Sequence, residues 1–315
     1  MLIVILFWEI SMQKLPMISA DNPYPLGVYR TETGVRVSMI SEGDTCGLIL
    51  YDKDKKQIGR FELSNGYRMG KIRYGRMDFD NNEAIFYQLY SDDKVIFDPY
   101  MKAYNGRENF GERVEPEDLF SIIENEDYDW EEDKSPGIPY EDSFIYCMHV
   151  RGFTKHSSSA VKGKGTFRGI VEKLSHLEDL GVTAIELLPI YELMDGCKQD
   201  DRINYWGYDT GFYYAPKNAY AASGRADIEF KNLVKEFHKR NMEVILQFYF
   251  PAEMAQSDIL EVLRYWRLEY HVDGFHLKGV NIPLLMIASE PGFSDVKLLH
   301  YDFTIYLIHR EIIMQ

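Results

Sequence analysis

The sequence predicts a two-part α/β protein, an antiparallel β-sandwich followed by a unit in which strands and helices alternate around a parallel sheet. Three observations carry this. Between Pro25 and about Tyr104, short apolar runs are separated by polar turns, the pattern of a sandwich. From Ser143 to Leu299, strand-like apolar runs alternate with amphipathic helix-length ones, which implies parallel strands joined by right-handed crossovers. Between them, Glu115 to Asp133 is dense in acids and is followed by Lys134-Ser135-Pro136-Gly137-Ile138-Pro139, a solvated connection. The expected organisation is an extension over 1–24, a sandwich over 25–110, an acidic linker over 111–139 and the alternating unit over 140–315.

In the sandwich, Val35-Arg36-Val37-Ser38-Met39, Gly47-Leu48-Ile49-Leu50-Tyr51 and Ile85-Phe86-Tyr87-Gln88-Leu89 read as strands. Asp52-Lys53-Asp54-Lys55-Lys56 and Asp80-Asn81-Asn82 read as the turns between strands. In the alternating unit, Ser143 to Arg151 is strand one, with His149 inside it as a satisfied histidine. Thr166 to Leu180 is one amphipathic helix with Thr166 as its N-cap. Gly181 can end that helix, and strand two runs on to Pro189. Asp227 to Lys239 is a helix, Glu243 to Phe250 strand three, Ile259 to Tyr270 a helix, the run from Gly274 strand four, and Val296 to Leu299 strand five.

Composition narrows the function. A net charge of -15 repels the phosphates of nucleic acid, so no nucleic-acid partner is expected. Cys46, Cys147 and Cys197 show no metal-ligand spacing and suit idle thiols in a reducing cytoplasm. Met1 to Ile10 is apolar but lacks a basic flank and is too short to span a bilayer, so no membrane role is expected, and Met12 is an alternative start. No His/Cys/carboxylate cluster suggests a metal and no glycine-rich loop a nucleotide, so no cofactor is expected.

Four stretches carry a family likeness: "FIYCMHVRGFT", "HLEDLGVTAIELLPIYEL", "NYWGYDTGFYYAPKNAYA" and "LRYWRLEYHVDGFH". In this order they resemble glycoside hydrolase family 13, the α-amylase family, in its isoamylase and glycogen-debranching group. "YPLGVYRTETGVRVSMIS" similarly resembles the carbohydrate-binding β-sandwich that precedes the barrel there. The resemblance implies an N-terminal antiparallel β-sandwich followed by a (β/α)8 TIM-type barrel, and counting the strands of this sequence gives an incomplete one, with about five of eight strands. It also implies a role in α-glucan metabolism.

The same resemblance locates the site and its departures. The family's strand-four Arg falls on His276 and its nucleophilic Asp on Lys278, an ammonium that cannot attack an oxocarbenium-like centre. The strand-three Asp falls on Gln247, with Pro251 and Ala252 at the following Asn and His. The general-acid Glu falls on Tyr301, with Asp302 one position out of register. No catalytic position is intact. Gln247 and His276 are expected to pair with each other as neutral groups. The sugar-contacting residues that survive are Tyr208 and Asp209, with Trp206 packed beside them, and Lys278 is placed within reach of Asp209.

The expected function is that of a degenerate, non-catalytic glucan-binding or regulatory protein. The alternatives are an active debranching-type hydrolase and an assembly protein that self-associates through open sheet edges.

Overall fold

The computed structural model describes residues 18–63, 67–78, 84–123, 128–194, 198–199, 202–300 and 304–305. The 1–24 extension up to residue 17, the Asp80-Asn81-Asn82 turn, Cys197, Tyr301 and Asp302 lie outside the described residues.

Two antiparallel sheets open the chain. One runs in the order Ile18–Ser19, Ile72–Asp78, Gly34–Ile40, Gly27–Thr31, and the other Tyr104–Asn105, Phe120–Ile122, Phe86–Ser91, Cys46–Tyr51, Gln57–Glu62. Val35, Val37 and Met39 alternate with Arg36 and Ser38, so one face of Gly34–Ile40 turns inward. It meets Leu48, Leu50, Tyr87 and Leu89 of the second sheet in one buried cluster. The strands expected at 35–39, 47–51 and 85–89 are found there, each displaced by a residue or so.

The 111–139 stretch does not act as a bare linker. Phe120–Ile122 pairs on both sides within the second sheet, because Leu119 and Ile123 are apolar anchors inside the acidic run and are buried. Farther along, Ile138 donates its amide to Glu243 Oε1 (3.0 Å) and takes the Lys297 ammonium on its carbonyl (2.5 Å). That ties the run to the base of the next sheet.

Five parallel strands then lie in sequence order: Ile145–Met148, Ala184–Leu187, Glu243–Tyr249, Gly274–Lys278 and Lys297–His300, with Thr304–Ile305 antiparallel beside the fifth. Each strand adds next to its predecessor, so the crossover helices collect on one side. There Leu187, Leu246, Phe248, Phe275 and Leu277 pack against Phe230, Phe237, Val262 and Trp266 of the helices Ala226–His238 and Gln256–Tyr270. The opposite face carries a small apolar cluster of Ala184, Ile245 and Leu299. The two parts of the chain meet through a buried joint, where Glu192 accepts from Tyr104 Oη and lies 3.6 Å from the Arg107 guanidinium.

Strand one is shorter than expected. It ends at Met148, and His149 becomes the N-cap of a helix, Val150–Thr154, accepting the Gly152 amide. The helix expected over 166–180 is two pieces, Phe167–Val171 and Leu174–Asp179. Thr166 does cap the first, and Gly181, at φ +74°, ends the second.

Candidate functional site

Side chains from four strand ends converge on the helix-free face of the parallel sheet. Strand one supplies Cys147, strand two Glu186, strand three Gln247, and strand four His276 and Lys278. The register sets Cys147 opposite Glu186 and Gln247 opposite His276.

Glu186 is the centre of the cluster and has no solvent exposure. A carboxylate removed from water is tolerated only with donors to replace it. Its Oε1 accepts from Gln247 Nε2 and from His276 Nδ1 at 2.6 Å. Its Oε2 is buried with no hydrogen-bond partner among the described residues. Gln247 also accepts from Tyr208 Oη, and its Nε2 lies 3.5 Å from Cys147 Sγ. Gln247 and His276 therefore do not pair directly; each bonds to Glu186, so this face keeps a buried carboxylate. The sequence held a signal for it, since a lone acid in the apolar run Ala184–Leu188 has to be paired when buried.

Lys278 ends strand four, and the backbone there is fixed. Its carbonyl accepts the Phe250 amide (2.9 Å), and Gly279 follows at φ +142°, where a Cβ would lie 2.4 Å from the Phe250 carbonyl oxygen. The Lys278 Nζ sits 5.1 Å from the centroid of the Tyr208 ring, a cation–π geometry. The expected reach to Asp209 is not realised: among the described residues no ion pair joins them, because the ammonium is turned onto the Tyr208 face.

Burial, with Cys147 and Glu186 adding to it, pushes the Tyr208 phenol up to about 12, so it is a neutral donor near neutral pH. Although Cys147 is exposed, partial desolvation of its thiol and then Glu186 push it up to about 11 against the opposing charge of Lys278, which leaves little nucleophilic thiolate.

The loop Asn204 to Asp209 borders this cluster. The Gly207 amide donates to Asn204 Oδ1 (3.1 Å), and Gly207 at φ +81° turns the chain. Tyr191 Oη donates to the Asp209 carbonyl (3.0 Å), which fixes the far end. Tyr205 stacks on His149 with ring centroids 4.1 Å apart. Trp206, edge-on to Tyr205, is 59% exposed and presents its indole to solvent. Asp209 is also exposed, with Asn204 Nδ2 at 3.5 Å from its carboxylate.

His149 is satisfied, as expected, though as a helix cap. Its Nδ1 accepts from Gly152, so the proton resides on Nε2 and is donated to the Tyr205 carbonyl at 2.8 Å. Burial brings its pKa down to about 4, with Lys217 and Arg151 assisting against the Tyr205 bond, and the ring stays neutral.

Among the described residues no group of three His, Cys, Asp or Glu side chains is placed to hold a metal ion, and no helix is long and apolar enough to cross a membrane.

Residues 149–251 match the family described as "Alpha amylase, catalytic domain". The chain is 34% identical over 250 residues to Isoamylase 1, chloroplastic, of Arabidopsis thaliana, covering 59% of this chain and 32% of that protein. It is 28% identical over 390 residues to the Glycogen operon protein GlgX homolog of Mycobacterium tuberculosis (strain H37Rv), covering 90% and 53%.

Among solved structures, the pullulanase of Paenibacillus barengoltzii in complex with maltohexaose and α-cyclodextrin superposes with a TM-score of 0.62 at 21% identity, covering 82% of this chain and 49% of that one. The glycogen-degrading pneumococcal virulence factor SpuA superposes with a TM-score of 0.70 at 21% identity, covering 92% and 38%.

The matched segment and these relatives make the chain similar to the α-amylase family, glycoside hydrolase family 13. Within that family, the likeness is to the isoamylase and glycogen-debranching type. It spans from about a third to about half of the length of these curated relatives, 32% and 53%.

Proposed function

We propose that this chain binds α-glucan without cleaving it, on a sheet that is an arc of a (β/α)8 barrel. The observation that carries this reading is Lys278 at the end of strand four, turned onto Tyr208 where the resemblance requires a nucleophilic carboxylate. Retaining hydrolysis needs two carboxyl groups about 5–5.5 Å apart. The buried carboxylate of this face, Glu186, is held by Gln247 and His276. A group locked in that way is poorly placed to attack a sugar, and Lys278 and Cys147 cannot replace it. Glucan binding is supported by the relatives above and by the exposed indole of Trp206, which can cover the apolar face of a pyranose ring.

Purified protein should release no reducing sugar from glycogen, pullulan or amylopectin above a protein-free blank. Release above that blank would overturn the non-catalytic part. Calorimetric titration with maltoheptaose should show weak binding to wild type and a loss of about tenfold in Trp206→Ala, since one buried ring contact is worth roughly 1–1.5 kcal/mol. Equal affinities would remove the 204–209 loop from the site.

A second reading rests on strand one, Ile145–Met148, which among the described residues pairs on one side only. An open edge of this kind can pair with another chain. Light scattering that shows a monomer at every concentration would dismiss self-association.

A further inference from the structure

A stretch beside the aromatic loop has a charge opposite to that of the whole chain. The chain carries a net charge of -15. Yet between Arg151 and Lys173 the basic residues Arg151, Lys155, Lys162, Lys164, Arg168 and Lys173 face a single acid, Glu172.

That acid is already committed. Its two oxygens accept the backbone amides of Lys162 (2.7 Å) and Gly163 (2.9 Å), with Arg168 at 3.7 Å. Glu172 thereby folds the Lys162-to-Gly165 loop back onto the helix start and leaves the loop's side chains facing out. Lys155, Lys162, Lys164 and Arg168 are all exposed. Among the described residues, Lys155, Lys162 and Lys164 take part in no ion pair.

Lys155 and Arg151 sit against the loop that carries Lys162 and Lys164. A Cβ at Gly165 would lie 3.2 Å from Lys155 Cδ and 3.4 Å from Arg151 Cγ, so the two side chains flank the loop. The surface continues into the aromatic loop. The Arg151 guanidinium lies 4.9 Å from the centroid of the Phe110 ring, Phe110 is 5.6 Å from Tyr205, and Tyr205 is 5.6 Å from the exposed Trp206.

Three exposed ammoniums on one stretch, none of them in an ion pair among the described residues, are open to an anion. A neutral glucan would leave them uncompensated. A phosphate monoester, carrying between one and two negative charges at neutral pH and several acceptor oxygens, matches them.

We propose that the ligand of this surface is α-glucan bearing phosphate monoesters, with the sugar on Trp206 and the phosphate on Lys155, Lys162 and Lys164. The inference rests on the glucan-binding reading above and specifies which glucan. Free phosphate or a sugar phosphate shares the charged half of this chemistry but has no chain to lie along the aromatic loop.

The test compares phosphorylated amylopectin with the same polymer after phosphatase treatment. Each is titrated into wild type and into the variant Lys155→Gln/Lys162→Gln/Lys164→Gln, whose side chains are exposed and whose fold is checked by circular dichroism. Wild type should bind the phosphorylated polymer about tenfold more tightly at low salt. This preference should shrink at about 200 mM salt, where exposed charges are screened. The variant should bind both polymers as wild type binds the dephosphorylated one.

Equal affinity of wild type for the two polymers would overturn the inference and leave glucan binding standing. Failure of both polymers to bind would overturn both. If inorganic phosphate or glucose 6-phosphate competes as strongly as the phosphorylated polymer, calculated per phosphate, the glucan chain is irrelevant and the proposal fails. If polyglutamate competes equally well, the surface selects charge alone and the proposal fails again.

Discussion

Replacing Glu186 with leucine should lower the unfolding free energy by about 3–5 kcal/mol, the usual cost of removing one member of a buried charged cluster. Glu186 has no exposure, and both donors to its Oε1, Gln247 and His276, are themselves buried. Without the carboxylate, each keeps a polar N–H facing an apolar side chain, at roughly 1–3 kcal/mol apiece. The double variant Glu186→Leu/His276→Leu should recover part of the loss, because the second change removes a stranded donor as it fills space. Urea denaturation of wild type, both single variants and the double variant gives the coupling. A Glu186→Leu variant within about 0.5 kcal/mol of wild type would mean that the cluster contributes nothing to stability, as is usual for surface changes.

Much of the scaffold was legible because its signals are local. Phe230, Leu233, Val234 and Phe237 recur at helical spacing within Ala226–His238, and all four are buried as that spacing implies. Strand three reads as an apolar run apart from Glu243 and Gln247, and its first six residues are buried on both faces. The helix expected over 166–180 divides at Glu172 and Lys173 for a reason spacing does not show. The Glu172 carboxylate turns back to the amides of Lys162 and Gly163, and Lys173 leaves helical geometry at φ −106°, ψ 8°.

The site was legible only in part. Gln247, His276 and Lys278 stand out in the sequence against the pattern of the family it resembles. What Gln247 and His276 bond to does not, because Glu186 lies 61 and 90 residues away in the chain. The same holds at the base of the sheet. Asp133 reads as one more acid in a solvated run, yet its partners His238 and His271 lie 105 and 138 residues away and make it a buried anchor. Charge runs describe solvation well only where no distant histidine claims a member.

Replacing Asp273 with alanine should cost about 3 kcal/mol near pH 6, and the cost should fall as the pH rises. Asp273 Oδ2 accepts from His238 Nε2 (2.9 Å) and from the Val244 amide (2.8 Å), while His238 Nδ1 is 2.9 Å from Asp133. With both ring nitrogens bonded to carboxylates, both carry protons, so His238 is an imidazolium between two buried acids. His271, stacked on Trp130 at 3.9 Å, holds the other Asp133 oxygen at 2.7 Å. The cluster therefore pins the 128–139 approach to the base of strands three and four.

Burial would lower the His238 pKa, but the hydrogen bonds and charges of Asp273 and Asp133 outweigh it and raise the value above 6.5. A histidine raised in the folded state adds stability that is fully present below the unfolded value, about 6.5. That stability is lost as pH rises through the folded value. Asp273→Ala removes the larger share of the raising interactions, so its difference from wild type should be greatest below about pH 6.5 and narrow above it. Denaturation midpoints measured from about pH 5.5 to 9 test this sign. A difference that stays flat, or widens toward alkaline pH, would show that His238 is not the charged member of the clamp.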